Sequence, residues 1–85
     1  MIWGLILSNQ ASRTFRRAPR TDQDQMRAAL RLLSDNPYSG DIKLLSGTGG
    51  TLRRRVGNWR ILYELDLDRK VVEVTAIKRR GSNTY

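Results

Sequence analysis

The chain of 85 residues contains no cysteine and no histidine, and it has only two prolines, one phenylalanine, two tryptophans and three tyrosines. Without cysteine there are no disulfides, no thiol nucleophile and no thiolate metal ligand. Without histidine the usual general base and the commonest metal ligand are missing as well. These absences exclude hydrolases built on a Ser–His or Cys–His pair, and they argue against a bound metal or any other cofactor.

Acidic residues are scarce relative to basic ones: 8 Asp and Glu stand against 16 Lys and Arg, a formal charge of +8. Three of those 16 are lysines, so the other 13 are arginines. The planar guanidinium of arginine binds phosphate at two points and stacks on bases, whereas lysine acts as a point charge. A small protein this basic is expected to bind a polyanion or an acidic partner. Composition leaves open the simpler alternative that the charge only maintains solubility.

Long hydrophobic runs are also absent. The apolar segment 2–7 lacks a basic leader and is far shorter than a membrane span. It is predicted to be a buried strand, and no membrane association is expected. The length suits one domain, residues 1–85, with a small core, and a cytoplasmic location is expected.

Two amphipathic helices are predicted after this strand. Ser8 can cap a first helix, which Pro19 ends. Its apolar stripe has the spacing i, i+4, i+7 and consists of Ala11, Phe15 and Ala18. The run 21–24 resembles a capping box for a second helix, which ends by Asn36 and Pro37. The apolar face of that helix consists of Met26, Ala29, Leu30 and Leu33.

The second half of the sequence has the pattern of β-strands. A loop-rich connector, 37–51, leads to predicted strands at 52–56, 59–66 and 71–77. Gly57-Asn58 forms a two-residue hairpin turn between the first two of them. Together the segments predict an α+β fold. Its N-terminal strand and two-helix hairpin pack on one face of a small, mainly antiparallel, twisted β-sheet.

The two-residue turn sets the register of the hairpin, so that Arg55 lies directly opposite Arg60. One face of the hairpin is then apolar and consists of Leu52, Val56, Trp59, Ile61, Tyr63 and Leu65. The other face carries Arg53 with the opposed pair, and like charges directly opposite one another destabilise a strand pair. A bound anion would relieve that repulsion; the alternative is a solvated basic face with Glu64 as counter-charge. Alternation places Arg54 among the apolar residues, with no predicted role in the site.

Several runs of the chain resemble the RelE/ParE superfamily of toxins from type II toxin–antitoxin systems. The most specific is RRRVGNWRILYELD, residues 53–66. The motifs that flank it are Asn36-Pro37, Gly40-Asp41, Leu44, Gly47, Ile77-Lys78-Arg79-Arg80 and Tyr85. The resemblance covers nearly the whole chain and includes the order strand, helix, helix, then antiparallel strands.

The resemblance to RelE-like toxins implies a ribosome-dependent endoribonuclease that needs no metal. Such an enzyme cleaves mRNA in the A site by attack of a ribose 2′-OH on the adjacent phosphate, which leaves a 2′,3′-cyclic phosphate and a 5′-OH, and so inhibits translation. The implied catalytic residues are Arg53, Arg60, Arg79 and Tyr85. The implied RNA-binding residues are Arg55, Lys78 and Arg80.

Each implied catalytic residue has an expected role. Arg53 and Arg60 clamp the scissile phosphate, and Arg79 neutralises or protonates the leaving oxygen. Tyr85 stacks on a base or assists proton transfer, the alternative being a chain end without a role. Arginine stays protonated and tyrosine has an ordinary pKa of about 10, so the sequence does not identify a general base. RelE-type toxins have lysines where this chain has Thr51 and Arg53.

Other functions and partners follow from the same resemblance. A ParE-like toxin shares the fold but poisons DNA gyrase without cutting RNA; Arg60, Arg79 and the C-terminal tyrosine favour the ribonuclease. A simple RNA-binding module is disfavoured, because few aromatic residues are expected at the surface. Any toxin of this kind implies a cognate antitoxin whose acidic segment wraps it, and operator DNA would be bound only through that antitoxin.

Overall fold

The structure, a computed structural model, describes residues 2–47 and 49–80. The elements in chain order are β1 (Gly4–Leu7), α1 (Asn9–Arg17), α2 (Arg20–Asp35), β2 (Ile42–Leu44), β3 (Leu52–Val56), β4 (Trp59–Asp66) and β5 (Val71–Arg79). The strands form one sheet in the order β1-β5-β4-β3-β2. Strand β1 pairs with β5 in parallel, and the other neighbours are antiparallel. Both helices pack on one face of the sheet, so the predicted α+β fold is confirmed.

The core lies between the helices and the sheet face that they cover, called here the inner face. Nearly all residues predicted from the helix stripes and the hairpin are buried there: Ala11, Ala18, Met26, Ala29, Leu30, Leu33, Trp59, Ile61 and Tyr63. Strand β5 adds Val72, Val74 and Ile77. Full burial of a large apolar side chain contributes about 1.5–3 kcal/mol. The apolar stripes therefore account for the way in which the helices pack on the sheet.

Strand β1 is an edge strand, and the prediction that it is buried was wrong. Leu5 and Leu7 pack against the core, but Ile6 points to the other side of the sheet and is 47% exposed. The reason is that the helices cover only one face. Neither helix covers the opposite, outer face of the sheet, although Arg53 is buried there.

The two helices begin in different ways. The Ser8 hydroxyl accepts a hydrogen bond from the Ala11 backbone N–H at 3.1 Å, as predicted. Helix α2 starts directly after Pro19 without a side-chain cap, so the capping box predicted at 21–24 was wrong. Proline suits the start of a helix because its fixed φ favours helix entry. The first N–H groups of a helix have no acceptor within it, so the N–H that proline lacks is no loss here. Asp22 instead accepts a hydrogen bond from the indole of Trp59 at 3.1 Å, which ties α2 to β4.

Beyond the end of β1, side chains from the start of α1 form hydrogen bonds to the backbone of β5. The amide of Gln10 accepts from the N–H of Ile77 at 3.0 Å and donates to its carbonyl at 3.1 Å. The Ser8 hydroxyl donates to the carbonyl of Thr75 at 2.8 Å. These bonds hold α1 against the sheet through its first turn.

The connector 37–51 contains a strand that the sequence analysis did not predict. Strand β2 pairs antiparallel with β3 and forms the second edge of the sheet. It has only three residues, too few for alternation to distinguish it from a loop. Its pairing partner is what defines it as a strand.

Candidate functional site

Three cationic side chains lie next to one another on the outer face of the sheet. Arg55 of β3 is directly opposite Arg60 of β4, as predicted, and Arg60 is directly opposite Lys78 of β5. Neighbouring strands are about 4.8 Å apart, so the three residues form a row across the sheet, called here the cationic row. Opposed like charges repel. An anion over this row would therefore be bound by three strands at once.

A β-bulge in β5 determines which residue of the C-terminal strand joins the row. Val74 is buried on the inner face, so strict alternation would place Lys78 inward and Arg79 outward. The pairing with β4 shifts in the middle of the strand and leaves Thr75 as an extra residue. The next buried residue is consequently Ile77, three positions after Val74. Lys78 faces outward as a result, and Arg79 faces inward.

Arg79 is therefore not brought together with the other predicted catalytic arginines. In the register it lies opposite Trp59, and its guanidinium carbon is 5.7 Å from the centre of the indole ring. This is a cation–π contact, worth about 0.5–1 kcal/mol at an exposed site. Arg80 is exposed and donates its backbone N–H to Asn58 in the hairpin turn. Tyr85 lies outside the described residues.

Arg53 lies on the outer face two residues before Arg55 and is only 8% exposed. Its Nη2 donates to the Asp41 carboxylate at 3.5 Å. Its Nε is buried and has no acceptor among residues 2–47 and 49–80. A buried charged donor without an acceptor costs about 1–3 kcal/mol or more. The Nε of Arg54, on the inner face, is likewise buried without a hydrogen-bond partner among these residues, so this feature alone does not indicate a bound anion.

Asp41 is a counter-charge to two arginines of this site, Arg53 and Arg55. Its carboxylate lies 3.5 Å from Nη2 of Arg53 and 3.8 Å from Nε of Arg55, and its backbone carbonyl accepts from the Arg55 N–H at 3.0 Å. The carboxylate is more than half exposed, and such pairs contribute about 0–1 kcal/mol. Glu64, on the same face of β4, accepts a hydrogen bond from the Thr51 hydroxyl at 3.1 Å.

The loop that carries Asp41 is held from the inner face. Nη1 of Arg54 donates to the Ser39 carbonyl at 2.9 Å, and the Tyr63 hydroxyl donates to the Pro37 carbonyl at 2.5 Å. Arg54 thus lies on the inner side of β3, as alternation predicted, and anchors the connector. Asp41 was not predicted as a site residue. In the sequence, Asp41 is an acidic residue in the connector before β2. That position does not indicate which strand residues Asp41 contacts.

Tyr63 is fully buried, and desolvation raises its pKa from 10.0 to about 12. The positive charge of Arg54 acts in the opposite direction, and Tyr38 adds slightly to the increase. The hydroxyl is therefore a proton donor at neutral pH and serves the loop contact rather than proton abstraction.

Within residues 2–47 and 49–80, no three acidic side chains come together in a group that could hold a metal ion. In the same part of the chain, no helix has the length and apolar character needed to cross a bilayer.

The fold defines the class of structure to which the protein belongs, the small α+β fold of RelE. The chain is similar to RelE in the archaeal RelE–RelB complex from Pyrococcus horikoshii OT3, with a TM-score of 0.82 and 23% identity over 95% of this chain and 98% of that one. It is similar to a chain of the RelBE2 complex from Mycobacterium tuberculosis, with a TM-score of 0.82 and 22% identity over 94% and 100%. The isolated E. coli RelE toxin gives a TM-score of 0.81 and 18% identity over 96% and 88%.

The family follows from the sequence. The family model described as "ParE toxin of type II toxin-antitoxin system, parDE" matches residues 5–84. The match spans nearly the whole chain, so the protein belongs to this family of toxins, and the RelE/ParE membership expected from its motifs is confirmed. Among curated protein sequences no significant match was found.

Proposed function

We propose that this toxin is a ribosome-dependent endoribonuclease that cleaves mRNA in the A site and so inhibits translation. The observation that carries the proposal is the cationic row, with the buried Arg53 beside it. Phosphoryl transfer builds negative charge on the phosphate oxygens, and cations held in place before the reaction stabilise that charge. The RelE-like fold of the solved structures above is consistent with this activity.

Each cation of the site has its own role in the proposed reaction. Arg60, at the centre of the row, and Arg53 bind the oxygens of the scissile phosphate. The 2′-hydroxyl loses its proton to solvent as its oxygen attacks phosphorus, the bond from phosphorus to the 5′-oxygen breaks, and that oxygen takes up a proton. A 2′,3′-cyclic phosphate and a 5′-OH result. Lys78 takes the position at the leaving oxygen that the sequence had assigned to Arg79, because the bulge turns Lys78 toward the row. Arg55 binds a neighbouring phosphate.

The remaining predicted residues keep supporting roles in the proposal. Arg79 and Arg80 add affinity for RNA at the end of β5, and Tyr85 stacks on a base or assists proton transfer. An acidic antitoxin segment would inhibit the enzyme by occupying the cationic row, and operator DNA would be bound only through that antitoxin. Similar structures from Pyrococcus horikoshii and Methanococcus jannaschii are complexes of RelE with RelB.

The test adds the purified toxin to ribosomes programmed with mRNA and maps the cleavage sites in that mRNA by primer extension. We expect cuts at the A-site codon, and we expect Arg60→Ala to slow cleavage about 100- to 1,000-fold, the usual effect of losing one such donor. Arg69→Ala removes an exposed arginine in the β4–β5 turn and serves as the matched control, with cleavage unchanged. Cleavage that Arg60→Ala leaves intact would contradict the assignment of the site.

The second candidate function is poisoning of DNA gyrase. The observation that favours it is the family model itself, which is named for ParE toxins. Supercoiled plasmid incubated with gyrase and the toxin distinguishes the two functions. Gyrase-dependent double-strand breaks, together with intact mRNA on ribosomes, would replace the ribonuclease proposal.

A further inference from the structure

We propose that helix α1 carries a second binding site, specific for the phosphate backbone of a double-stranded nucleic acid. The site is formed by Asn9, Ser12, Arg13 and Arg16, called here the α1 stripe. Their spacing is i, i+3, i+4, i+7, which places them along one side of the helix. Ala11 and Phe15, on the other side, face the core. The stripe thus points away from the sheet, on the opposite side of the molecule from the cationic row.

The chemistry of the stripe is that of phosphate binding. Its four side chains supply an amide, a hydroxyl and two guanidiniums, and they line a cleft of about 390 Å³. Helix α1 contains no acidic residue, NQASRTFRR being its whole sequence. Arginine, serine and asparagine are among the side chains that contact phosphate oxygens in nucleic-acid complexes. Arg13 and Arg16 are one turn apart, a spacing at which like charges repel unless an anion binds between them.

Two arginines of α2, unlike those of the stripe, pair with an acidic side chain. Asp24 pairs with Arg27 at 3.0 Å and with Arg20 at 3.8 Å. In the part of the chain that the structure describes, no carboxylate pairs with Arg13 or Arg16. The positive charge of the stripe is therefore not neutralised within the fold.

The shape and composition of the stripe favour a nucleic-acid duplex over a protein or a single strand. Protein interfaces have an apolar centre, whereas this cleft is lined only by polar and charged side chains. Single strands are bound by stacking on aromatic side chains, and the stripe has none. The stripe runs over eight residues, from Asn9 to Arg16, which at a rise of about 1.5 Å per residue span about 10 Å, enough to contact more than one phosphate of a backbone. Gln10 and Ser8 bind this helix to β5, so the backbone that carries the stripe is held in place before binding.

The inference rests on the proposed function only in its choice of RNA as the natural duplex. With two basic surfaces on opposite sides, one toxin molecule could bind the strand to be cut at the cationic row and a neighbouring RNA helix at the α1 stripe. The chemistry of the stripe itself is common to RNA and DNA backbones, and the experiment distinguishes them.

The experiment measures fluorescence anisotropy of a labelled RNA duplex and a DNA duplex of the same sequence, without ribosomes, from low to physiological salt. We expect Arg13→Ala/Arg16→Ala to weaken RNA duplex binding at least tenfold and to reduce the salt slope by roughly one for each phosphate that the variant no longer binds. Arg31→Ala/Arg69→Ala removes the same charge from exposed positions outside the stripe and should weaken binding by about twofold or less. Circular dichroism checks that each variant is folded.

Equal weakening by the two double variants would overturn the proposal, because net charge alone would then explain binding. A polyglutamate peptide whose binding depends on Arg13 and Arg16 as strongly as that of the duplex would overturn it in favour of an acidic protein partner. Stronger binding of RNA than of DNA would support an RNA helix as the natural ligand. Equal binding would support recognition of the phosphate backbone that RNA and DNA share. If the wild type cuts no mRNA yet needs the stripe for duplex binding, the proposed function fails and the second site stands.

Discussion

Three consecutive arginines on β3 have three different surroundings. Arg53 is buried on the outer face beside Asp41, Arg54 anchors the Ser39 carbonyl on the inner face, and Arg55 extends into the cationic row. Their chemistry is identical, so the face and depth of each position decide what it does. At the scale of single residues, orientation is the source of function in this molecule.

Tyr63→Phe is expected to lower the free energy of unfolding by about 1–3 kcal/mol at pH 8, because the Pro37 carbonyl loses its donor.

The pKa of Tyr63 is about 12 in the fold and 10.0 ordinarily, so above pH 10 the unfolded chain loses this proton first. The stability of the wild type therefore falls as pH rises from 10 toward 12, by about 1.4 kcal/mol at pH 11 relative to the variant. Urea unfolding of both proteins at pH 8 and 11 measures the difference. Parallel pH dependences would contradict the assigned pKa.

The bulge in β5 is the element that assembles the site. Without Thr75 as an extra residue, the inner and outer residues of the last part of β5 would be exchanged. The core sets the bulge, because Val74 and Ile77 must both be buried although they are three positions apart. Packing on the inner face thus determines which cation lies on the outer face.

This geometry predicts unlike effects for two neighbouring residues. Lys78→Ala should slow mRNA cleavage at least tenfold, because it removes one cation of the row. Arg79→Ala should mainly remove the contact with Trp59, lowering stability by about 0.5–1 kcal/mol and cleavage by less than tenfold. Single-turnover cleavage on ribosomes and thermal unfolding give the two readouts. The reverse order of effects would show that Arg79, as first expected from the sequence, serves the reaction.

The connector before β2 offers a second test at the scale of elements. Gly40 has φ +94°, and a Cβ there would lie 2.3 Å from the guanidinium carbon of Arg54. Gly47 has φ +75° with nothing within 4 Å of that position, so it is the matched control. Gly47→Ala should cost about 1–2 kcal/mol from backbone strain alone. Gly40→Ala should cost about 1 kcal/mol more, because Arg54 must leave the Ser39 carbonyl.

Chemical denaturation of the two glycine variants measures that difference. In an Arg54→Ala background the extra cost of Gly40→Ala should disappear, as a double-mutant cycle would reveal. Equal costs in both backgrounds would mean that the close approach to Arg54 does not restrain the loop.

At the scale of the whole molecule, the small fold has a net charge of +8, with three cations in the cationic row and two arginines in the α1 stripe on the opposite side. Net charge of this size destabilises the compact state through self-repulsion, and salt reduces the effect. A bound anion does more than screening, since it stabilises the folded state in proportion to its affinity.

Inorganic phosphate is therefore expected to raise the melting temperature above that in sodium chloride of the same ionic strength. A ligand at ten times its Kd adds about 1.4 kcal/mol, which for a domain of this size corresponds to several degrees. Arg55→Ala/Arg60→Ala should lose most of this excess and retain the general effect of salt. Differential scanning fluorimetry provides the measurement. An excess that persists in the double variant would place the phosphate site outside the cationic row, and its loss in Arg13→Ala/Arg16→Ala would place it at the α1 stripe.

Much of the fold was predictable because its signals are local. The helix stripes, the Ser8 cap and the register that opposes Arg55 to Arg60 all follow from spacings of a few residues. A two-residue turn leaves one register for the hairpin, so the sequence alone predicts this feature of the site. The errors, at the capping box of α2 and the burial of β1, arose where a local motif was overridden by the chain around it.

The sequence by itself determined the hairpin with its opposed arginines, the apolar faces that meet in the core, and the family to which the chain belongs. Only the tertiary structure decided that Lys78 and not Arg79 completes the row, that Asp41 lies beside Arg53 and Arg55, and that the polar and basic α1 stripe faces away from the sheet. Those features depend on how distant segments pack. The register of β5 is set by which of its side chains fill the core, and no local spacing encodes that choice.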